Sequence, residues 1–265
     1  MNTLFPENGV AWVTGAASGI GRAAARRLAA EGQRLALIDL PGPKLDAITE
    51  ELGAAGAKVE ADLGQGAAAF CAAAEAALGA PDLLMNNAAS RAGRGMDAPL
   101  DEWRVVMDVN FWAVVEASRL MAPKMAARGG RIVNTGSKQG ITNPPGHPIY
   151  NVAKSAVKTF TEALEHELRG AEGGQTVSAH LLIPGWTTVG DAEHNPGAWM
   201  PEQVIDFMIE ALRNGDFYIL CPDDETSTDQ DHKRVAWGAG DITENRPPLS
   251  RWHPDWAGRA KDACS

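Results

Sequence analysis

Short apolar runs alternate with longer stretches of helical periodicity between Val10 and Leu220. The runs near Val10–Thr14, Arg34–Asp39, Lys58–Ala61, Asp82–Asn87, Arg131–Gly136, Thr176–Ile183 and Phe217–Leu220 predict seven strands. Segments such as Leu35-Ala36-Leu37-Ile38 lack polar alternation, as expected of strands buried on both faces. Between them, helical spacing predicts helices over roughly Gly19–Glu31, Lys44–Leu52, Gly66–Leu78, Leu100–Ala127, Ile149–Arg169 and Pro201–Arg213. Strictly alternating strand and helix implies an α/β fold, a doubly wound parallel seven-stranded sheet flanked by helices. Ligands of such sheets bind beyond the carboxyl ends of the strands, where the strand order reverses.

Two stretches depart from the alternation. Thr187–Met200 reads as an irregular loop, too short for a lid, which favours an open pocket for a bulky ligand. The division expected is a single domain over 1–221 and a C-terminal extension over 222–265. In that extension Thr228-Asp229-Gln230-Asp231 resembles a helix start with a hydroxyl cap. The helix is expected to stop near Gly238 or Gly240, and Pro247-Pro248 through Trp252-His253-Pro254 to form an extended strap. Trp237, Trp252 and Trp256 need a surface to cover them, so the extension is expected to pack on its own domain or across a subunit interface.

Composition narrows the function. A chain of 265 residues, 45% hydrophobic and 22% charged, has the balance of a soluble protein with one sizeable core. The net charge of −10 disfavours nucleic acid and anionic membranes as partners. Cys71, Cys221 and Cys264 form neither a disulfide framework nor a metal-ligand spacing, so no metal and a cytoplasmic location are expected. Met1–Asn8 has no secretory pattern, and no apolar run is long enough to span a bilayer.

The first strand runs into Thr14-Gly15-Ala16-Ala17-Ser18-Gly19-Ile20-Gly21. Glycines here let the backbone approach a pyrophosphate, and the following helix presents its positive end. Gly15, Ser18, Gly19, Ile20 and Gly21 are therefore candidate dinucleotide contacts of a Rossmann-type fold. Asp39, about 20 residues on, is placed to bond the adenosine ribose and would repel a 2′-phosphate, which favours NAD.

Tyr150 is one of only two tyrosines, and Lys154 lies one helical turn beyond it. A free phenol has a pKa near 10, and a neighbouring ammonium lowers it toward use as a base. Ser137 follows the fifth strand, where it could hold a substrate oxygen beside Tyr150. Asn110 is a polar amide within an otherwise apolar helical stretch, which suits either a structural or a functional partner.

Taken in order, these residues resemble the short-chain dehydrogenase/reductase family, in its branch of roughly 250 residues, over about 5–220. The resemblance implies an NAD-dependent alcohol dehydrogenase or ketone reductase with Asn110, Ser137, Tyr150 and Lys154 as its catalytic set. It implies that Asp62 with Leu63 lies by the adenine and that Asn87 and Ala88, in Asn86-Asn87-Ala88, line the cofactor site. Pro184 and Gly185 would contact the nicotinamide, either Thr187 or Thr188 (Thr187 slightly favoured) would bond its carboxamide, and Lys154 would also hold its ribose. Asn110 would hold a water in a proton relay through Lys154. Ala89 departs from the family's usual glycine and is tolerable where φ stays negative.

Candidate substrate contacts are Ser137, Tyr150, His147, Trp186 and Trp199, with Ile149 and Met200 nearby, a largely apolar and aromatic lining. Arg91 and Arg94, after the fourth strand, are candidates to hold an anionic substrate. By resemblance, the helices over Leu100–Ala127 and Ile149–Arg169 would join subunits into a homotetramer, or a homodimer. Two other functions compete: an isomerase that retains its NAD, and a non-catalytic redox sensor. A sensor would not need the Asn110, Ser137, Tyr150 and Lys154 set, and an isomerase usually has a larger substrate domain.

Overall fold

A computed structural model describes residues 4–171, 173–190 and 192–265. Seven strands build one parallel sheet in the order β3-β2-β1-β4-β5-β6-β7. They are β1 (Val10–Thr14), β2 (Arg34–Asp39), β3 (Gly56–Glu60), β4 (Leu83–Asn86), β5 (Gly130–Thr135), β6 (Val177–Ile183) and β7 (Tyr218–Leu220). The order reverses between β1 and β4, which pair from Ala11↔Leu83 to Val13↔Met85. Their carboxyl ends diverge there into the crevice expected of such sheets.

One face of the sheet carries α1 (Gly19–Ala30), α2 (Pro43–Leu52) and α8 (Pro201–Asn214), whose Leu28, Ile48 and Met208 share a core with Leu37 and Met85. Helix α3 (Ala68–Leu78) and α5 (Ala113–Met125) cover the opposite face with Phe70, Ala74 and Met121 against Trp12 and Ile38. Alanines at 23, 24, 25, 74 and 117 let these helices lie close to the strands. Beneath the crevice, Asn86 donates to Asn134 at 2.8 Å and Asn134 to Thr161 at 3.1 Å. These buried amides are thereby satisfied, and they fix the ends of β4 and β5 relative to α7 (Pro148–Arg169).

The predicted strands and helices fall within two residues of their positions at most ends. The single helix expected over Leu100–Ala127 is interrupted: α4 (Leu100–Met107) passes into a π-turn over Asp108–Trp112 before α5 begins. The wider turn carries Asn110, whose side chain bonds another part of the chain. A further short helix, α6 (Gln139–Thr142), lies between β5 and α7.

The extension after β7 also differs from its expectation. Helix α9 (Thr228–Thr243) is capped by Ser227 with Gln230, one residue earlier than expected, and it runs through Gly238 and Gly240. The chain around Trp252 is compact, with a 3₁₀ turn at Ser250–Trp252 and α10 (Ala257–Ala263). Trp237 and Trp256 meet edge to face at 6.4 Å, with the Arg246 guanidinium 4.2 Å from the Trp237 ring. The tryptophans are thus covered largely by the extension itself. Its acidic side then docks on the domain through Asp231, 2.6 Å from Lys138.

Candidate active site

A cleft of about 1080 Å³ opens over the carboxyl ends of β1, β4 and β5. One end is built by the glycine turn. Gly15 and Gly19 have φ of 70° and 50°, which a side chain tolerates poorly. A Cβ at Gly15 would meet Ala88 Cα at 2.9 Å, and one at Gly21 would meet Asn87 Nδ2 at 2.7 Å. Ser18 is the N-cap of α1 but makes no side-chain capping bond. The backbone therefore lies open toward the cleft, with the N-terminus of α1 behind it.

Asp39 closes this end. Its carboxylate accepts from the N–H of Ala17 and of Leu40, both at 2.8 Å. Asp62 accepts from Gly64 at 2.9 Å and lines the cleft with Leu63. Thr14, unnoticed in the sequence beyond its place in the turn, is the joint between strands: its hydroxyl accepts from Asn87 N at 2.8 Å and Ala88 N at 3.1 Å. The donor set, the glycine cradle and the two carboxylates fit a dinucleotide with unmodified ribose.

At the other end Tyr150 projects from the first turn of α7, and Lys154 Nζ lies 5.7 Å from its ring centre. Lys154 is fully buried and donates to Thr135 O at 2.7 Å. Gly140 makes this packing possible, since a Cβ there would meet the Lys154 backbone at 2.6 Å. The sequence signal for it was available only as a glycine three residues after Ser137. Ser137 Oγ accepts from Gln139 N at 3.1 Å and lines the same cleft as Tyr150.

The sequence model of the family described as short chain dehydrogenase matches residues 9–198. The chain belongs to that family.

Two relatives and one solved structure give the family context. Galactitol 2-dehydrogenase (L-tagatose-forming) of Cereibacter sphaeroides is 40% identical over 191 residues, covering 69% of this chain and 74% of its own. The 2-dehydro-3-deoxy-L-rhamnonate dehydrogenase (NAD(+)) of a Sphingomonas species is 36% identical, covering 65% and 69%. A crystal structure of a short chain dehydrogenase/reductase from Burkholderia phymatum, in complex with NAD, superposes with a TM-score of 0.81 at 30% identity, over 91% of this chain and 96% of that one.

Within this short chain dehydrogenase, burial pushes the Tyr150 phenol up, but the charges of Lys154 and Arg91, with hydrogen bonds from Arg91 and Ser137, outweigh it and leave its pKa below the ordinary value. Burial, and then the Arg91 charge, press the Lys154 ammonium down, while Tyr150 partly restores it. The Arg91 guanidinium lies 5.0 Å from the Tyr150 ring centre, a closeness to the phenol that the sequence did not indicate.

Asn110 is fully buried, and its amide is committed: it accepts from Ser90 N at 2.6 Å and donates to Ser90 O at 2.9 Å. It clamps the loop that carries Arg91. Asn87, Ala88, Pro184, Gly185, Trp186, Thr187 and Thr188 all line the cleft. Thr187 Oγ1 donates to Gly185 O at 3.2 Å, whereas Thr188 pairs with His194 at 3.0 Å. Ala89 is not among the residues with positive φ.

Other predicted contacts stand back from the cleft wall. His147 caps α7 through its backbone, and Trp199 turns its ring onto Phe207 at 5.9 Å and its indole N–H onto Asp224. Ile149 is buried against Val106, and Met200 caps α8. Arg94 is exposed outside the cleft lining. Among the described residues no helix is long and apolar enough to cross a membrane, and no cluster could hold a metal ion.

Proposed function

We propose that this short chain dehydrogenase interconverts a secondary alcohol and a ketone with NAD(H), using Tyr150 as the general acid and base. The observation that carries this reading is the buried Tyr150 phenol, set between Lys154, Arg91 and Ser137, at the opposite end of one cleft from Asp39. Nicotinamide bound there would accept hydride from the carbinol carbon or return it. In oxidation the Tyr150 phenolate takes the hydroxyl proton, and in reduction the phenol gives it back. Ser137 holds the reacting oxygen, and Lys154 keeps the phenolate charge favourable.

The NAD preference follows from Asp39, which would face a 2′-phosphate with a negative charge. Arg22, the basic residue nearest the turn, is paired with Glu51 at 3.2 Å. Exposed Trp186 and Val105 offer an apolar face to the remainder of the substrate. Incubation with NAD and a panel of secondary alcohols, followed at the NADH absorbance, tests the reading. Turnover that persists fully in Tyr150→Phe would refute it.

A further inference from the structure

Arg91 is exposed within the cleft, and among the described residues no carboxylate forms an ion pair with it. Other basic residues near the site are neutralised or committed. Lys138 is held by two carboxylates, and Lys154 donates to Thr135 O. The acidic groups that line the cleft are Asp39 and Asp62, at the adenosine end, and Glu193, on the loop after β6. Arg91 and Lys154 therefore face the Tyr150 phenol and Glu193, and an oxidised nicotinamide would add a third positive charge to those two. Such an imbalance in a partly enclosed site favours an anionic ligand.

We propose that the substrate is a hydroxy acid, oxidised to its keto acid, whose carboxylate is bound by the Arg91 guanidinium. The proposal rests on the reading above and names the class of alcohol. Arg91 fits a carboxylate because its planar fork can offer two parallel N–H donors. The Arg91 guanidinium lies 5.0 Å from the Tyr150 ring centre, and the carbinol oxygen must reach the Tyr150 hydroxyl by one hydrogen bond of about 2.9 Å. With the guanidinium over the phenol ring, the carboxylate belongs close to the carbinol carbon, as in a 2- or 3-hydroxy acid. A phosphate would call for more than one free cation. Asn110 sets the register of this contact, since it grips Ser90 on both backbone groups immediately before Arg91. Trp186 and Val105 would then take an alkyl or aryl substituent.

The NAD-loaded protein should oxidise mandelate or 3-hydroxy-3-phenylpropanoate at least tenfold more efficiently than the corresponding primary amide. Arg91→Gln should bring that acid-to-amide ratio close to one, and Arg91→Lys should keep part of it. The ratio cancels any effect of Arg91 on Tyr150, which acts on both substrates alike. Benzoate and benzamide, titrated against tryptophan fluorescence of the NAD complex, read the same preference without turnover. Tighter binding of benzoate, lost in Arg91→Gln, is the expected result. Equal binding of the two by the unaltered protein, or a preference that survives Arg91→Gln, overturns the proposal. Production of NADH from 1-phenylethanol alongside either negative result would leave the oxidoreductase reading standing, whereas absence of NADH from every alcohol would count against that reading.

Discussion

Lys138 Nζ lies 2.8 Å from Asp223 Oδ2, a pair that joins the residue after Ser137 to the segment after β7. The same carboxylate oxygen accepts from Trp186 N at 3.0 Å, so it also holds the Pro184-Gly185-Trp186 turn. Gly185 is required there by close approach, since a Cβ would come within 2.7 Å of Lys138 Nζ. A second carboxylate, Asp231 from α9, reaches the same ammonium at 2.6 Å. Asp223 and Asp231, from two separate segments, thus converge on one half-buried cation beside the candidate active site.

Two carboxylates around one ammonium are not equivalent. Burial raises the Asp223 carboxyl, but Lys138 and the Trp186 N–H outweigh it and hold it below its ordinary value. Burial raises Asp231, and Lys138 offsets only part of that effect. Lys138→Met should therefore cost about 3–5 kcal/mol, because it leaves buried charge uncompensated. Asp231→Asn should change stability by no more than about 1 kcal/mol at neutral pH. The sign of its pH dependence is fixed: a folded carboxyl with a raised pKa holds its proton more tightly than the unfolded chain does. Its stabilising contribution is complete below the unfolded value near 3.8 and is lost as pH rises through the higher folded value. Denaturant titrations across that range should show Asp231→Asn gaining on the unaltered protein as pH increases.

Tyr150→Phe should remove nearly all turnover while NADH binding, read by nucleotide fluorescence, stays within a few-fold. Only the oxygen proposed to transfer the proton is lost. On the proposed mechanism the phenolate is the active form for alcohol oxidation, so kcat/KM should rise with pH and level off at an inflection below 10. Removing the Arg91 charge withdraws one of the cations that favour phenolate. The inflection in Arg91→Gln should move to higher pH. A profile that stays in place would separate Arg91 from Tyr150.

Cofactor choice gives an independent test at the far end of the cleft. NAD should be preferred over NADP by at least tenfold in kcat/KM, about 1.4 kcal/mol of discrimination. Asp39→Ala removes the repelling charge but also the acceptor for Ala17 N and Leu40 N. The gap should therefore narrow mainly through weaker NAD use, with a higher KM for NAD. Equal use of both nucleotides by the unaltered protein would contradict this account of Asp39.

What could be read in advance was chemistry written in local spacing. The turn over Thr14–Gly21, the acid at the end of β2 and the i, i+4 pair Tyr150 and Lys154 depend on residues close in sequence or on one strand length. Groups brought together by packing were not visible. The contact of Arg91 with Tyr150 needs the Asn110 clamp on Ser90, and that clamp needs a π-turn that no hydrophobic period announces. Lys138 meets Asp223 and Asp231 across 85 and 93 residues. Trp199 shows the converse error: it lies on the expected loop, yet its ring turns toward Phe207 and Asp224. Position along the chain located the loop and left the side-chain direction open.

The C-terminal extension should support the cleft of its own subunit. Ending the chain at Cys221 removes both carboxylates that hold Lys138 and the acceptor that holds Trp186 N. Such a protein should melt at lower temperature and bind substrate more weakly, with kcat/KM down by at least tenfold. Trp237→Ala offers a milder version, because it removes a ring packed on Trp256 and Arg246 and an indole N–H that donates to buried Ser250 at 2.7 Å. Assembly should be governed elsewhere. Trp112, Leu120 and Val152 are half exposed on the π-turn, α5 and α7, a set of apolar side chains suited to burial between subunits. Sedimentation should give a homotetramer, or a homodimer, that Trp112→Glu dissociates and Trp237→Ala leaves intact. If Trp237→Ala dissociated the oligomer while kcat/KM and melting temperature were preserved, the extension would have to be reassigned from the cleft to the subunit interface.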